Sequence, residues 1–119
     1  MYLLLDTNVA INYLKGDKAI LKLIRKSINV SIAYITEIEL LCYKVSAEDR
    51  KNIRSFIDNI DVVFPDAKTI HYSMEIRRKG GLKLADSMIA ALAQQYNLIL
   101  TTYDPELLKQ ARSYSALKP

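Results

Sequence analysis

Leu3, Leu4 and Leu5 form an unbroken apolar run that stops at Asp6. A strand with one wet face alternates apolar and polar residues, whereas a strand covered on both faces reads as continuous apolar sequence. Double coverage is the property of parallel sheets flanked by helices, so this short run already favours an α/β architecture. The next stretch, Val9 to Leu14, reads as a helix, with Val9, Ile11, Tyr13 and Leu14 supplying apolar surface. Asp6 therefore stands at a strand-to-helix junction, at the carboxyl end of the strand. As a helix cap it would accept hydrogen bonds from the free N–H groups of the helix start. As a ligand or catalytic group it would use the place where open parallel sheets bind their partners. The local pattern alone favours the cap.

The remaining chain alternates in the same way. Helical patterns are expected over Asp17–Lys26, over the stretch YITEIELLCYKV, and over SAEDRKNIRSFIDNI with Ser46 as its cap. A long helix opened by Pro65 and Asp66 runs to about Lys79 and is stopped by Gly80-Gly81. KLADSMIAALAQQY and DPELLKQAR read as two more. Strands are expected at Ile28–Ile32, Asp61–Phe64 and Asn97–Thr102, with room for one small edge strand in the tail SYSALKP. The connections are too long for hairpins, so the strands should be parallel. The expected fold is a three-layer α/β/α domain spanning residues 1–119, with a central parallel sheet of four to five strands.

Composition narrows the function. Half of the 119 residues are hydrophobic, enough for one proper core. Cys42 is the only cysteine, which excludes an internal disulfide and a cysteine-based zinc cluster, and His71 is the only histidine. No apolar run approaches the roughly 18 residues of a membrane span, and no signal-peptide pattern is evident. A cytoplasmic protein is the expectation. The net charge of +4 favours polyanionic partners weakly.

Four carboxylates stand out. Asp86 is the only charge between Leu84 and Leu92. A carboxylate in such surroundings costs several kcal/mol unless paired or bound. The competing readings are a first-turn acid favoured by the helix dipole and a salt bridge to Lys83. Glu39 lies three residues after Thr36, which fits a capping box. Glu37 competes with it, but a two-residue offset turns the side chain about 200° around a helix, so only one can face a given site. Asp104, in Asp-Pro-Glu, reads as an N-cap followed by proline at the first helical position, yet it also lies just past a strand. In a parallel α/β sheet all four positions fall on one rim. Gathered there they would repel one another, and Mg²⁺ or Mn²⁺ is the usual remedy for clustered oxygen ligands.

In sum, LLLDTNVAINYLKG, SIAYITEIELL and LKLADSMIAALAQQYNLILTTYDPELL, in that order, resemble the acidic motifs of the PIN-domain family, most closely its VapC-type toxins. The resemblance covers nearly the whole chain. It implies a metal-dependent endoribonuclease with Asp6, Glu39, Asp86 and Asp104 as its acidic quartet. It selects Glu39 over Glu37. It also gives Asn8 and Thr102 the role of orienting water or a carboxylate. Its further implications are an RNA substrate such as tRNA, a cognate antitoxin that inserts a basic segment among the acids, and a homodimer formed through the early helices. The chain departs from the family in carrying Leu40-Leu41-Cys42-Tyr43 where a glycine often follows the second acid.

Arg77, Arg78 and Lys79 read either as cations favoured at a helix C-terminus or as contacts to RNA phosphate. The competing function is a PIN-like module that binds nucleic acid or protein without cutting. A phosphatase of the haloacid-dehalogenase type wants Asp-x-Asp after the first strand, and Asp6-Thr7-Asn8 does not supply it.

Overall fold

The computed structural model describes residues Met1–Pro119. Five strands, β1 (Tyr2–Leu5), β2 (Asn29–Ala33), β3 (Asp61–Val63), β4 (Ile99–Thr101) and β5 (Ser115–Leu117), form one sheet in the order β3-β2-β1-β4-β5. Every ladder is parallel. The tail thus supplies the small edge strand expected of it. Seven helices connect the strands: α1 (Thr7–Leu14), α2 (Lys18–Lys26), α3 (Tyr34–Cys42), α4 (Ala47–Asp58), α5 (Ala67–Lys79), α6 (Leu84–Gln95) and α7 (Pro105–Lys109).

The leucine run does what its pattern requires. Leu3, Leu4 and Leu5 are all fully buried, and successive side chains enter opposite cores. Leu4 packs with Leu100 and with Ile89, Ala90 and Leu92 of α6. Leu3 and Leu5 pack with Val9 of α1, Ile20 of α2, and Ile53 and Ile57 of α4. The result is the expected three-layer arrangement. No helix is long and apolar enough to cross a membrane.

The helix ends follow local chemistry. Asp6, Asp17, Ser46, Asp66 and Asp104 each cap a helix through a side-chain oxygen. Asp66 and Thr69 form a full capping box. At the end of α6, Asn97 takes a left-handed φ of 54°, and the N–H of Leu98 reaches the carbonyl of Ala93 at 2.8 Å, closing a Schellman motif.

One local reading is corrected. The Thr36–Glu39 capping box does not form. β2 passes into α3 without a loop, so the helix starts at Tyr34 with Ala33 at its cap position, and Thr36 is carried into the buried interior. α5 does stop at Gly80, which is extended.

The strand order reverses between β1 and β4. The chain runs outward from β1 through β2 and β3, then returns to place β4 on the other side of β1. Such a reversal opens a crevice at the carboxyl ends of the two strands. Asp6 leaves β1 there, and Thr102 leaves β4.

Candidate active site

Asp6 is buried and held from two sides. Its backbone N–H extends the β1–β4 ladder to the carbonyl of Thr101 at 3.1 Å. Its Oδ1 accepts from the N–H of Val9 at 2.9 Å, and its Oδ2 accepts from the hydroxyl of Thr102. The same Thr102 oxygen accepts from the N–H of Asp104 at 2.9 Å. A buried hydroxyl thereby couples the first acid to the fourth. Asp104 in turn caps α7 through the N–H of Glu106 at 2.9 Å.

Glu39 is held by a second hydroxyl pair. The Thr7 hydroxyl donates to Glu39 Oε1 at 2.9 Å and stands 3.0 Å from the hydroxyl of Thr36. A threonine carries one hydroxyl proton, so with that of Thr7 given to Glu39, Thr36 is the donor to Thr7. Glu39 is itself exposed, and it stands in the second turn of α3 rather than at its start. Asp86 sits in the first turn of α6 and is half-buried. It forms no ion pair with Lys83, since the one ion pair of the protein joins Arg78 to Glu75 at 3.3 Å. Of the four carboxylates, Asp86 alone has no hydrogen-bond donor.

All four line one cavity of about 500 Å³, together with Thr7, Asn8 and Lys83. Asn8 is exposed at its rim. Burial raises the pKa of Asp6 above the ordinary carboxylate value, against the pull of the Thr102 and Val9 hydrogen bonds. The negative fields of Asp86 and Asp104 add to the rise. Burial likewise raises Asp86, with Asp104 and Glu39 pushing the same way and Lys83 opposing. The carboxylates therefore face one another electrostatically. No group of three closes into a ready cage for one ion. The donor set is nevertheless of the hard-oxygen kind that suits Mg²⁺ or Mn²⁺, and Mg²⁺ keeps several waters and engages only one or two carboxylates.

Glu37 does not line the cavity, whereas Tyr43, at the end of α3, does. Arg77, Arg78 and Lys79 part company: Arg77 faces a groove between α5 and α6, Arg78 pairs with Glu75, and Lys79 opens toward α7. His71 is exposed, edge-on to Tyr72. The positioning threonines Thr7 and Thr36 were not singled out by sequence as such. The only signal for Thr7 is a hydroxyl directly following the first acid.

The family model for the PIN domain matches residues 3–113. A search of curated protein sequences returns no match. Among solved structures, the chain is similar to a toxin–antitoxin complex from Klebsiella pneumoniae at 21% identity and a TM-score of 0.84, covering 97% of this chain and 95% of that one. It is similar to VapBC-1 from nontypeable Haemophilus influenzae at 19% and 0.83, covering 99% and 98%. VapBC2 from Rickettsia felis, bound to a DNA fragment from the promoter, matches at 19% and 0.82, covering 99% and 98%. At such identities the likeness is one of fold.

The raised values of Asp6 and Asp86 carry a stability consequence. Their protonated forms are favoured by folding, so the contribution is present below the ordinary value of 3.8 and is lost as pH rises through the folded values. Asp6→Asn keeps an oxygen for the Val9 N–H and removes the buried charge. It should therefore melt at or above the wild type at pH 7, by up to about 5 °C, with the gain shrinking toward pH 4. A melting temperature clearly below wild type at pH 7 would contradict a carboxylate held there against its own repulsion.

Proposed function

From the premise that this chain belongs to the PIN-domain family, we propose that it is a metal-dependent endoribonuclease acting as the toxin of a toxin–antitoxin pair. The observation that carries the reading is the convergence of Asp6, Glu39, Asp86 and Asp104 on one cavity at the switch point of a parallel sheet, without a cationic side chain paired to any of them. A bound Mg²⁺ or Mn²⁺ would offset the acids' mutual repulsion, neutralise phosphate charge and ease the deprotonation of water. Asp6, Glu39, Asp86 and Asp104 would hold it.

The chain's own groups divide the rest. Thr102 fixes Asp6 and the Asp104 backbone as one unit. The Thr36–Thr7 pair aims Glu39 from the opposite wall. Asp86, with no donor engaging it, has one carboxylate oxygen for the ion and leaves the other to take the proton of the attacking water. The water oxygen bonds to phosphorus as the bond to one ribose oxygen breaks, and that oxygen leaves as a hydroxyl by taking a proton from solvent. Asn8, at the rim, orients water or a phosphate oxygen.

Two adjacent surfaces suit the protein partners of this reading. An apolar groove lined by Ile11, Leu14, Leu40, Tyr43, Val45 and Ile53 shares Ile11 and Tyr43 with the acid cavity. An antitoxin segment seated in it would carry a basic side chain to the carboxylates. The groove on the early helices being given to the antitoxin, we assign the homodimer contact not to those helices but to a second groove on α5 and α6, where Ile70, Met74 and Leu84 are exposed. Ile70→Glu with Met74→Glu should then convert a dimer to a monomer in light scattering. A wild-type monomer, or a variant that stays dimeric, would remove that assignment.

The enzymatic test is cleavage of tRNA and other structured RNAs by purified protein with Mg²⁺ or Mn²⁺ and with chelator, beside Asp6→Asn and Asp86→Asn. Cutting should require the metal and fall by roughly 10²–10⁴-fold in each variant. A folded wild type that cuts none of them would favour a non-catalytic binding module. Equal cutting by all three proteins would place the activity outside this site.

A further inference from the structure

α5 ends at Lys79 and α7 ends at Lys109, and the two helix ends line one cleft with the segment Arg112–Tyr114. The cleft encloses about 670 Å³, within the roughly 300–1,000 Å³ of small-ligand sites. Its polar lining is Lys79, Lys109, Arg112, Gln110 and Ser113, and no carboxylate borders it. None of the three cations has an ion-pair partner, and all three are exposed. Gly80 permits the close approach of the two walls, because a Cβ there would lie 1.6 Å from Gln110 Oε1. The Gln110 amide is held from the other side by Glu106 Oε2 at 3.3 Å.

Helix dipoles account for part of this. Lys79 and Lys109 lie in last turns, where cations are favoured. Arg112 lies beyond any helix, and the dipole does not explain why acids are missing from the cleft in a chain with thirteen of them. Three cations converging from separate elements, with amide and hydroxyl groups between them, describe a site for an extended anion.

The position of the cleft names the anion. α7 carries Asp104 of the acid cavity at its N-cap and Lys109 of the cleft at its last residue. At a rise of ~1.5 Å per residue, those two positions are roughly 7 Å apart. That is close to the separation of neighbouring phosphates along one strand. Tyr114 ties the two places together. It borders the cleft, its hydroxyl donates to the carbonyl of Leu107 at 2.7 Å, and burial plus the fields of Asp104 and Asp86 push its pKa up to about 12.

We propose that this cleft is the track of the RNA backbone next to the cut, with Lys79, Lys109 and Arg112 each holding a phosphate that flanks the one at the carboxylates. The proposal rests on the nuclease reading of the acid cavity. It also reassigns the RNA contact along α5 from the run Arg77–Lys79 to Lys79 alone, joined by two residues from the far end of the chain.

The test is the salt dependence of binding of a short single-stranded RNA to the full chain in chelator, where cutting is suspended. Three phosphates at ~0.7 each give a slope of log K against log salt that should fall by about two in Lys79→Gln/Lys109→Gln/Arg112→Gln. Affinity at low salt should fall at least tenfold. Lys18→Gln/Lys22→Gln/Lys26→Gln removes the same net charge from α2 and should leave the slope unchanged. Melting temperatures of both variants should match wild type, since the substituted side chains are exposed. An unchanged slope in the cleft variant, or an equal change in the α2 variant, overturns the track. If cleavage persists in that case, the nuclease reading stands without it. A wild type that neither binds nor cuts RNA ends both.

Discussion

The parallel pairing of β1 with β4 is the constraint on which the rest depends. It sets Leu5 beside Thr101, residues far apart in sequence, and delivers Asp6 and Thr102 side by side at the carboxyl edge. The hydrogen bond from the Thr102 hydroxyl to Asp6 is the side-chain continuation of that ladder. Because Thr102 also receives the Asp104 N–H, one buried hydroxyl fixes the start of α1 and the start of α7 relative to each other. Both acids are at once structural caps and members of the cavity. The two readings of Asp6, cap and candidate ligand, are therefore not alternatives.

The cavity is assembled against electrostatics. Burial and mutual repulsion disfavour ionisation of Asp6 and Asp86. The fold responds by giving Asp6, Glu39 and Asp104 local donors, while Asp86 is left without one. A charge distribution of this kind is stable enough in the folded chain and is relieved further by an added cation. Around it, a chain of net charge +4 sets three basic residues, Lys79, Lys109 and Arg112, at the other end of α7. A polyanion would meet attraction on the approach and repulsion at the centre until that centre is neutralised.

Much of the architecture is legible in the sequence because burial writes itself into apolar runs. Leu3–Leu5 and the stretch Ile89–Ala93 declare buried elements, and Asp-Pro at 104–105 declares a helix start. Capping was misread once, at Thr36. Thr-x-x-Glu fits a capping box, but whether a helix starts there depends on where the preceding strand ends, and β2 leaves no loop. The run of cations on α5 is divided by helix geometry. Arg77, Arg78 and Lys79 are adjacent in sequence, but successive helical residues point about 100° apart, so adjacency does not make a patch. The cleft that does gather cations joins α5 to α7 and the turn beyond, which no local pattern reveals. The Thr36–Thr7–Glu39 chain is hidden likewise, since it spans two helices.

The central claim is that four carboxylates drawn together by the β1–β4 crevice form a divalent-cation site. Titrating the protein with Mn²⁺ and reading the paramagnetic resonance of the free ion tests it without recourse to activity. The wild type should deplete the free signal. Asp6→Asn and Asp86→Asn, folded as judged by their melting curves, should each weaken the binding by tenfold or more. A wild type that leaves the free-ion signal untouched, or variants that bind as tightly as it does, would contradict the claim.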